Sequence, residues 1–206
     1  PVVMGSRSTF LGTKIGGFEG RPLKRGDLLK IGNLRKHKIS EGTRLKEDDI
    51  PKFEKYSEVR IMDGLCSYRI TEESKKILSE VDWTVTIDSN RVGYRIQSGK
   101  PLAFIEREQP FGAGNALSNV VDVGYPTGSI QLPGVTEPII LFNDCVTCGG
   151  YATIGTVISV DLSLMAQVAA NNKIKFTYVT LEEALIARKK NNEMIEKIGN
   201  YILYKN

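Results

Sequence analysis

The stretch DCVTCGGYATIGTV, from Asp144 to Val157, holds a Cys-x-x-Cys pair, Cys145 and Cys148, followed at once by Gly149, Gly150 and Tyr151. A structural zinc takes four Cys or His ligands and a catalytic one takes three plus water. Besides this pair the chain offers only Cys66 and the single histidine, His37, which lies in the basic polar run LRKHKISEG and reads as a loop. A redox pair of the thioredoxin kind sits between a strand and a helix. Here two glycines and the β-rich run YATIGTVISV follow instead. The cysteines therefore read as small, apolar side chains, and no metal is expected.

Strand signals continue on both sides. Alternating β-branched and aromatic residues between turn signals predict strands at 57–62, 82–87, 93–97, 102–106, 137–143, 152–160 and 174–179. Helices are predicted after Thr71, after Asp161 as N-cap, and from Thr180, where Thr180 and Glu183 form a capping-box pattern. The run Arg188-Lys189-Lys190 reads as a solvated helix face. Helices fall between groups of strands rather than after each one. The expected fold class is mainly β, an antiparallel barrel or sandwich with a few covering helices. Residues 33–55 read as a linker, and residues 1–32 are too short to bury a core.

Composition narrows the function. A chain of 206 residues with a net charge of +4, its lysines and arginines mixed with acids, carries no nucleic-acid footprint. No apolar run is long enough to span a membrane and no signal peptide opens the chain. Three cysteines, an odd number, argue against a disulfide scaffold and for a cytoplasmic setting. The start Pro1-Val2-Val3 reads as that of a processed or partial chain. Neither a GxxxxGK[ST] phosphate loop nor a Ser-His-Asp triad is possible.

Four blocks together carry a resemblance: GSRSTFLGTKIGGFEGRPLKRGDLL (5–29), SNRVGYRI (89–96), LSN with PTGSIQLP and PIILFND (117–144), and CGGYATIGTVISVDLSLMAQ (148–167). In order and spacing the chain resembles the allophanate hydrolase subunit 2, or biotin-dependent carboxyltransferase-like, family. That family includes the C subunit of 5-oxoprolinase and a sporulation-kinase-inhibitor antagonist. The resemblance implies two cyclophilin-like barrels: residues 1–32 would end the first, residues 56–206 would form the second with its C-terminal helix, and the chain would be shortened at its N-terminus. It makes DCVTCGGYATIG the glycine turn of such a barrel. It further implies a subunit of an ATP-dependent 5-oxoprolinase, which opens 5-oxo-proline to glutamate beside a first-subunit homologue. ATP with Mg2+ would be shared with that partner, and biotin would not be attached to this chain. Two alternatives stay open: a carboxyltransferase subunit acting on an amide or urea-type substrate, and a non-catalytic regulatory binding protein.

Polarising an amide needs fixed donors and a positioned planar substrate. Arg91 and Arg95 are the first candidates, four residues apart on a strand and so on one face; a salt bridge is their other reading. Gln131 offers an amide to a substrate carbonyl or pairs with backbone. Asp144 is a candidate base or a turn aspartate. Tyr94, Ser118, Gly128, Thr147, Gly149, Gly150 and Tyr151 complete the expected substrate site, Tyr151 as an aromatic wall or a core tyrosine. Against the family pattern, Asn90 replaces an aspartate, Asn119 a glutamate, Val146 a glutamine, Cys148 a threonine and Ala152 a proline.

Overall fold

A computed structural model describes residues 2–33 and 42–204, which fall in two compact units, Pro1–Ser40 and Glu41–Asn206. His37 lies outside the described residues.

In the first unit, β1 (Thr9–Phe10) pairs antiparallel with β2 (Ile15–Gly16). Arg21 ties the following loop together, with both Asp27 carboxylate oxygens at 2.8 Å and Glu19 at 2.9 Å. Of residues 2–33 only Gly20 is buried, while Phe10, Leu11, Ile15, Leu28 and Ile31 are all at least half exposed. Such a piece has almost no apolar burial to offset its chain entropy.

The second unit runs β3 (Tyr56–Asp63), α1 (Glu72–Glu80), β4 (Asp82–Val85), β5 (Gly93–Gln97), β6 (Asn119–Gly124), β7 (Ser129–Gln131), β8 (Ile139–Leu141), β9 (Cys148–Tyr151), β10 (Thr153–Val157), α2 (Leu162–Met165), β11 (Lys173–Tyr178) and α3 (Leu181–Tyr204). Seven strands close a barrel in the order β10-β3-β11-β4-β5-β8-β7, and β7 pairs back onto β10. All the ladders are antiparallel except β3 on β11. β6 and β9 form a separate two-stranded ribbon.

Alternation along the strands decides which side chains fill the barrel. Val59, Ile61, Trp83, Ile96, Ile130, Ile140, Ile154 and Ile174 are fully buried, and Phe176 nearly so. The Trp83 indole N–H, which needs a partner when buried, donates to the Leu78 carbonyl at 3.0 Å. The capping box anticipated at Thr180 is present, and Thr71 caps the helix it was expected to precede. Thr71 Oγ1 accepts from Ser74 N, and Thr180 exchanges bonds with Glu183, N to Oε2 at 2.8 Å and Oγ1 from N at 3.2 Å. The 188–190 basic run is exposed on α3.

Four expectations change. Residues 102–106 do not form a strand: Leu102 and Phe104 reach the core, but backbone partners come from Val135, Arg69 and the Ser74 hydroxyl rather than a ladder. The strands β6 and β7 lie where the sequence predicts none. Gly149 and Gly150 are not a turn but lie in β9, with ordinary extended backbone; two glycines have low strand propensity and hide it. Asp161 does precede α2, yet its side chain caps nothing. Its buried carboxylate instead accepts from Arg60 N at 2.8 Å, Nε at 2.9 Å and Nη2 at 2.6 Å, pinning the α2 loop to β3.

Asp161→Ala strands the Arg60 N–H beside an uncompensated, half-exposed guanidinium. It should cost about 2 kcal/mol by the scale of hydrogen bonds to charged groups, read as a lowered urea midpoint at unchanged slope.

Candidate active site

Between the core residues Ile96, Ile140 and Ile130, the strands β5, β8 and β7 turn Arg95, Ile139 and Gln131 to the barrel's outer side. Register sets these three in a row: Arg95 pairs Ile139, and Ile139 pairs Gln131. Over this row lies a cleft of about 400 Å³ whose far wall is Val146 and Tyr151. Gly93 floors it because a Cβ there would stand 2.8 Å from Ile139 Cγ2.

Gln131 is 8% exposed, and no described residue hydrogen-bonds its side chain. It does not pair with described backbone. The residue is buried as a whole, but its amide nitrogen and oxygen are not among the buried polar atoms left without a partner, so they are reached from the cleft they line. Arg95 stands beside it, with Nη1 donating to Glu137 Oε2 at 2.7 Å and the backbone N–H to Ser89 Oγ at 3.2 Å. Glu137 lies 42 residues away in sequence. No short motif joins it to Arg95, so sequence reasoning missed it.

Arg91 does not share this face, which corrects the expected pair. β5 begins only at Gly93. Before it, Asn90 folds the chain into an Asx turn, accepting from Val92 N at 2.8 Å through Oδ1. An aspartate would make the same bond, so Asn90 keeps this turn. Arg91 then lines a second cleft, of about 300 Å³, with Tyr94 and Phe142, whose rings are 4.7 Å apart. Tyr94 Oη donates to the Ala166 carbonyl at 3.3 Å.

Asp144 is held by Arg91, which donates Nε to Oδ2 at 2.8 Å and Nη2 to Oδ1 at 2.9 Å. The guanidinium keeps the Asp144 carboxyl below the ordinary carboxylate range. With both oxygens engaged it is a poor proton acceptor, so the geometry gives it an ion-pair role rather than that of a base.

The remaining candidates divide. Tyr151 lines the cleft. Gly149 lies against the Tyr125 ring, and Gly150 beside the Val120 carbonyl. Ser118 is buried and its hydroxyl donates to the Pro133 carbonyl at 3.2 Å. The Thr147 carbonyl accepts from Tyr125 N at 2.8 Å, and its side chain is exposed. Gly128 turns the chain at φ +93°, where a Cβ would meet the Val157 carbonyl at 2.9 Å. Ser118, Gly128 and Thr147 therefore shape the surroundings of the cleft without lining it. Val146, where a glutamine was the expected family residue, makes the far wall apolar. Cys66 is buried, Cys145 half-buried with its thiol pushed up by burial, and Cys148 exposed. Among the described residues no three of His, Cys, Asp and Glu gather as metal ligands, and no helix is long and apolar enough to cross a membrane.

Residues 1–178 match the family described as carboxyltransferase domain, subdomain A and B. The chain is 31% identical to the C subunit of 5-oxoprolinase from Escherichia coli over 97% of its own length and 59% of that protein. It is 34% identical to the C subunit of 5-oxoprolinase from Haemophilus influenzae over 100% of its length and 61% of that protein. The crystal structure of the K. lactis urea amidolyase superposes with a TM-score of 0.82 at 26% identity, covering 96% of this chain and 12% of that one. The chain thus spans about three fifths of the curated 5-oxoprolinase proteins it matches.

The Arg91–Asp144 pair makes a signed pH prediction. A depressed carboxyl contributes stability above its unfolded pKa, and that contribution is lost as pH falls through the lower folded value. A carbon-13 titration should place Asp144 below the ordinary range, and Arg91→Ala should bring it back up.

Proposed function

Because this chain belongs to the carboxyltransferase domain family, subdomains A and B, we propose that it is a subunit of a 5-oxoprolinase complex and that the cleft over Gln131 receives the cyclic amide. The observation that carries this is the Gln131 amide, without a partner among the described residues and open to a cleft lined by Arg95 and Tyr151. Support comes from the two 5-oxoprolinase relatives, which match nearly the whole chain.

A planar lactam of this kind presents one carbonyl, one N–H and one carboxylate. Gln131 Nε2 donates to the carbonyl while Oε1 accepts the ring N–H, so both halves of the amide find their partner at once. Arg95, with donors beyond the one engaged by Glu137, meets the carboxylate. Tyr151 and Val146 cover the ring's apolar edge and thin out water, which strengthens each of these bonds. The chain's share of the work is to bind, orient and polarise.

We place ATP and Mg2+ on a first-subunit homologue, the expected partner. In this chain Asp144 and Glu137 are each held by an arginine, which supports that placement. Residues 1–32 are proposed as the end of a preceding barrel. A second reading, a carboxyltransferase half acting on a urea-type amide, draws on the 0.82 TM-score with the urea amidolyase; the same Gln131 would serve it.

Turnover separates the readings. The protein, assembled with its partner subunits, should release glutamate from 5-oxo-proline in the presence of ATP. A well-folded complex that releases none would sink the first reading, and capture of a biotinylated protein would favour the second. Gln131→Leu should leave stability unchanged or slightly higher, since the amide bonds no described residue of the fold, while kcat/KM falls about tenfold or more. A kcat/KM within about twofold of the unmodified protein would contradict the role of Gln131.

A further inference from the structure

The wall of this cleft is carried by a weak ladder. The β6–β9 ribbon has rungs Asn119–Tyr151, Val123–Gly149 and Gly124–Cys148, and between the first two β6 advances by four positions where β9 advances by two, so the register shifts there. A ribbon of two strands interrupted by a bulge does not hold one geometry by itself. Contacts outside the ladder also set where Tyr151 stands: the buried Ala152 beside it donates to the Ser118 carbonyl at 2.8 Å and accepts from Leu132 N at 2.9 Å.

Tyr125, directly after β6 and 5% exposed, does this from the side. Its hydroxyl accepts from Tyr151 N at 2.8 Å and donates to the Tyr151 carbonyl at 2.9 Å. One side chain thus takes both backbone polar groups of the residue whose ring forms the cleft wall. The ring crosses the strand at Gly149, where a Cβ would stand 3.0 Å from Tyr125 Cε2 and 3.3 Å from its hydroxyl. The absent side chain at Gly149 is what lets the phenol reach Tyr151. The β6 side of the same rung is fixed as well: the Asn119 carbonyl accepts from the buried Arg69, Nη1 at 2.7 Å.

We propose that Tyr125 is a positioning residue for the ligand cleft, its hydroxyl setting the distance at which Tyr151 closes over Gln131, with Gly149 as the gap that admits it. This rests on the reading of the cleft as the substrate site. It accounts for Gly149 without any contact from it to substrate.

The test is Tyr125→Phe in the assembled complex, which keeps the ring in place and removes both bonds to Tyr151. Amide exchange at Tyr151 should accelerate about tenfold, the effect of losing one to two net hydrogen bonds. The KM for 5-oxo-proline should rise several-fold, on the order of one lost contact, with kcat within about twofold. Should Tyr125→Phe fold poorly, Gly149→Ala, which pushes the ring off the strand, should move exchange and KM in the same direction. Unchanged exchange at Tyr151 would overturn the clamp. So would a fall in kcat with unchanged KM that follows the loss of folded protein, the mark of a structural role. If the unmodified complex does not turn over 5-oxo-proline, the functional reading fails, and the exchange result alone still decides the clamp.

Discussion

Closure of the barrel is the constraint from which the rest follows. β3 lies between β10, antiparallel, and β11, parallel, while β10 also meets β7 on its other side. Seven strands joined in a ring leave no edge in that sheet exposed to other chains. The ring holds because its interior is filled by apolar side chains such as Ile61, Trp83, Ile96 and Ile140 at full burial. Asp161 secures the return of the chain after β10, meeting both the backbone and the guanidinium of Arg60. With the inside closed to polar groups, chemistry is confined to the outer face and to the barrel ends.

That confinement explains why two arginines four residues apart do different things. Arg95, within β5, alternates with Ile96 and so stands on the outer row with Gln131. Arg91 lies before the strand, past the Asn90 turn, and is engaged by Asp144. The outer row would be open surface but for the β6–β9 ribbon, which brings Tyr151 and Val146 across from it. A cleft therefore forms where a barrel face and a small ribbon meet. Of its polar groups Arg95 and Asn90 are engaged by the fold, while the Gln131 amide bonds no described residue and is reached from the cleft.

Much of this is legible in the sequence, for identifiable reasons. Period-two alternation in 57–62 and 93–97 marks β3 and β5 because each has one face in the core. Thr71 and Thr180 mark their helices because caps are local chemistry. Gln131, Arg95 and Tyr151 stand out as candidates by residue type, and the fold brings them to one cleft. What stays hidden depends on distance or on weak propensity. Cys148–Tyr151 looks like a turn because two glycines mask a strand that only Tyr125 and β6 explain. The partners Glu137 of Arg95 and Asp144 of Arg91, 42 and 53 residues away, are set by barrel register, which no local pattern encodes. The segment 102–106 reads as a strand because its apolar alternation is real, yet its backbone partners lie in loops and at the start of α1.

The most direct measurement follows the Gln131 side chain itself. The chain has four glutamines, Gln97, Gln109, Gln131 and Gln167, so nitrogen-15 labelling of glutamine in the assembled complex gives a short, assignable set of side-chain NH2 signals. Titration with 5-oxo-proline should shift the Gln131 signal in a saturable manner and leave the other three in place. Saturable binding with the Gln131 signal unmoved would contradict the assignment of this cleft as the amide site.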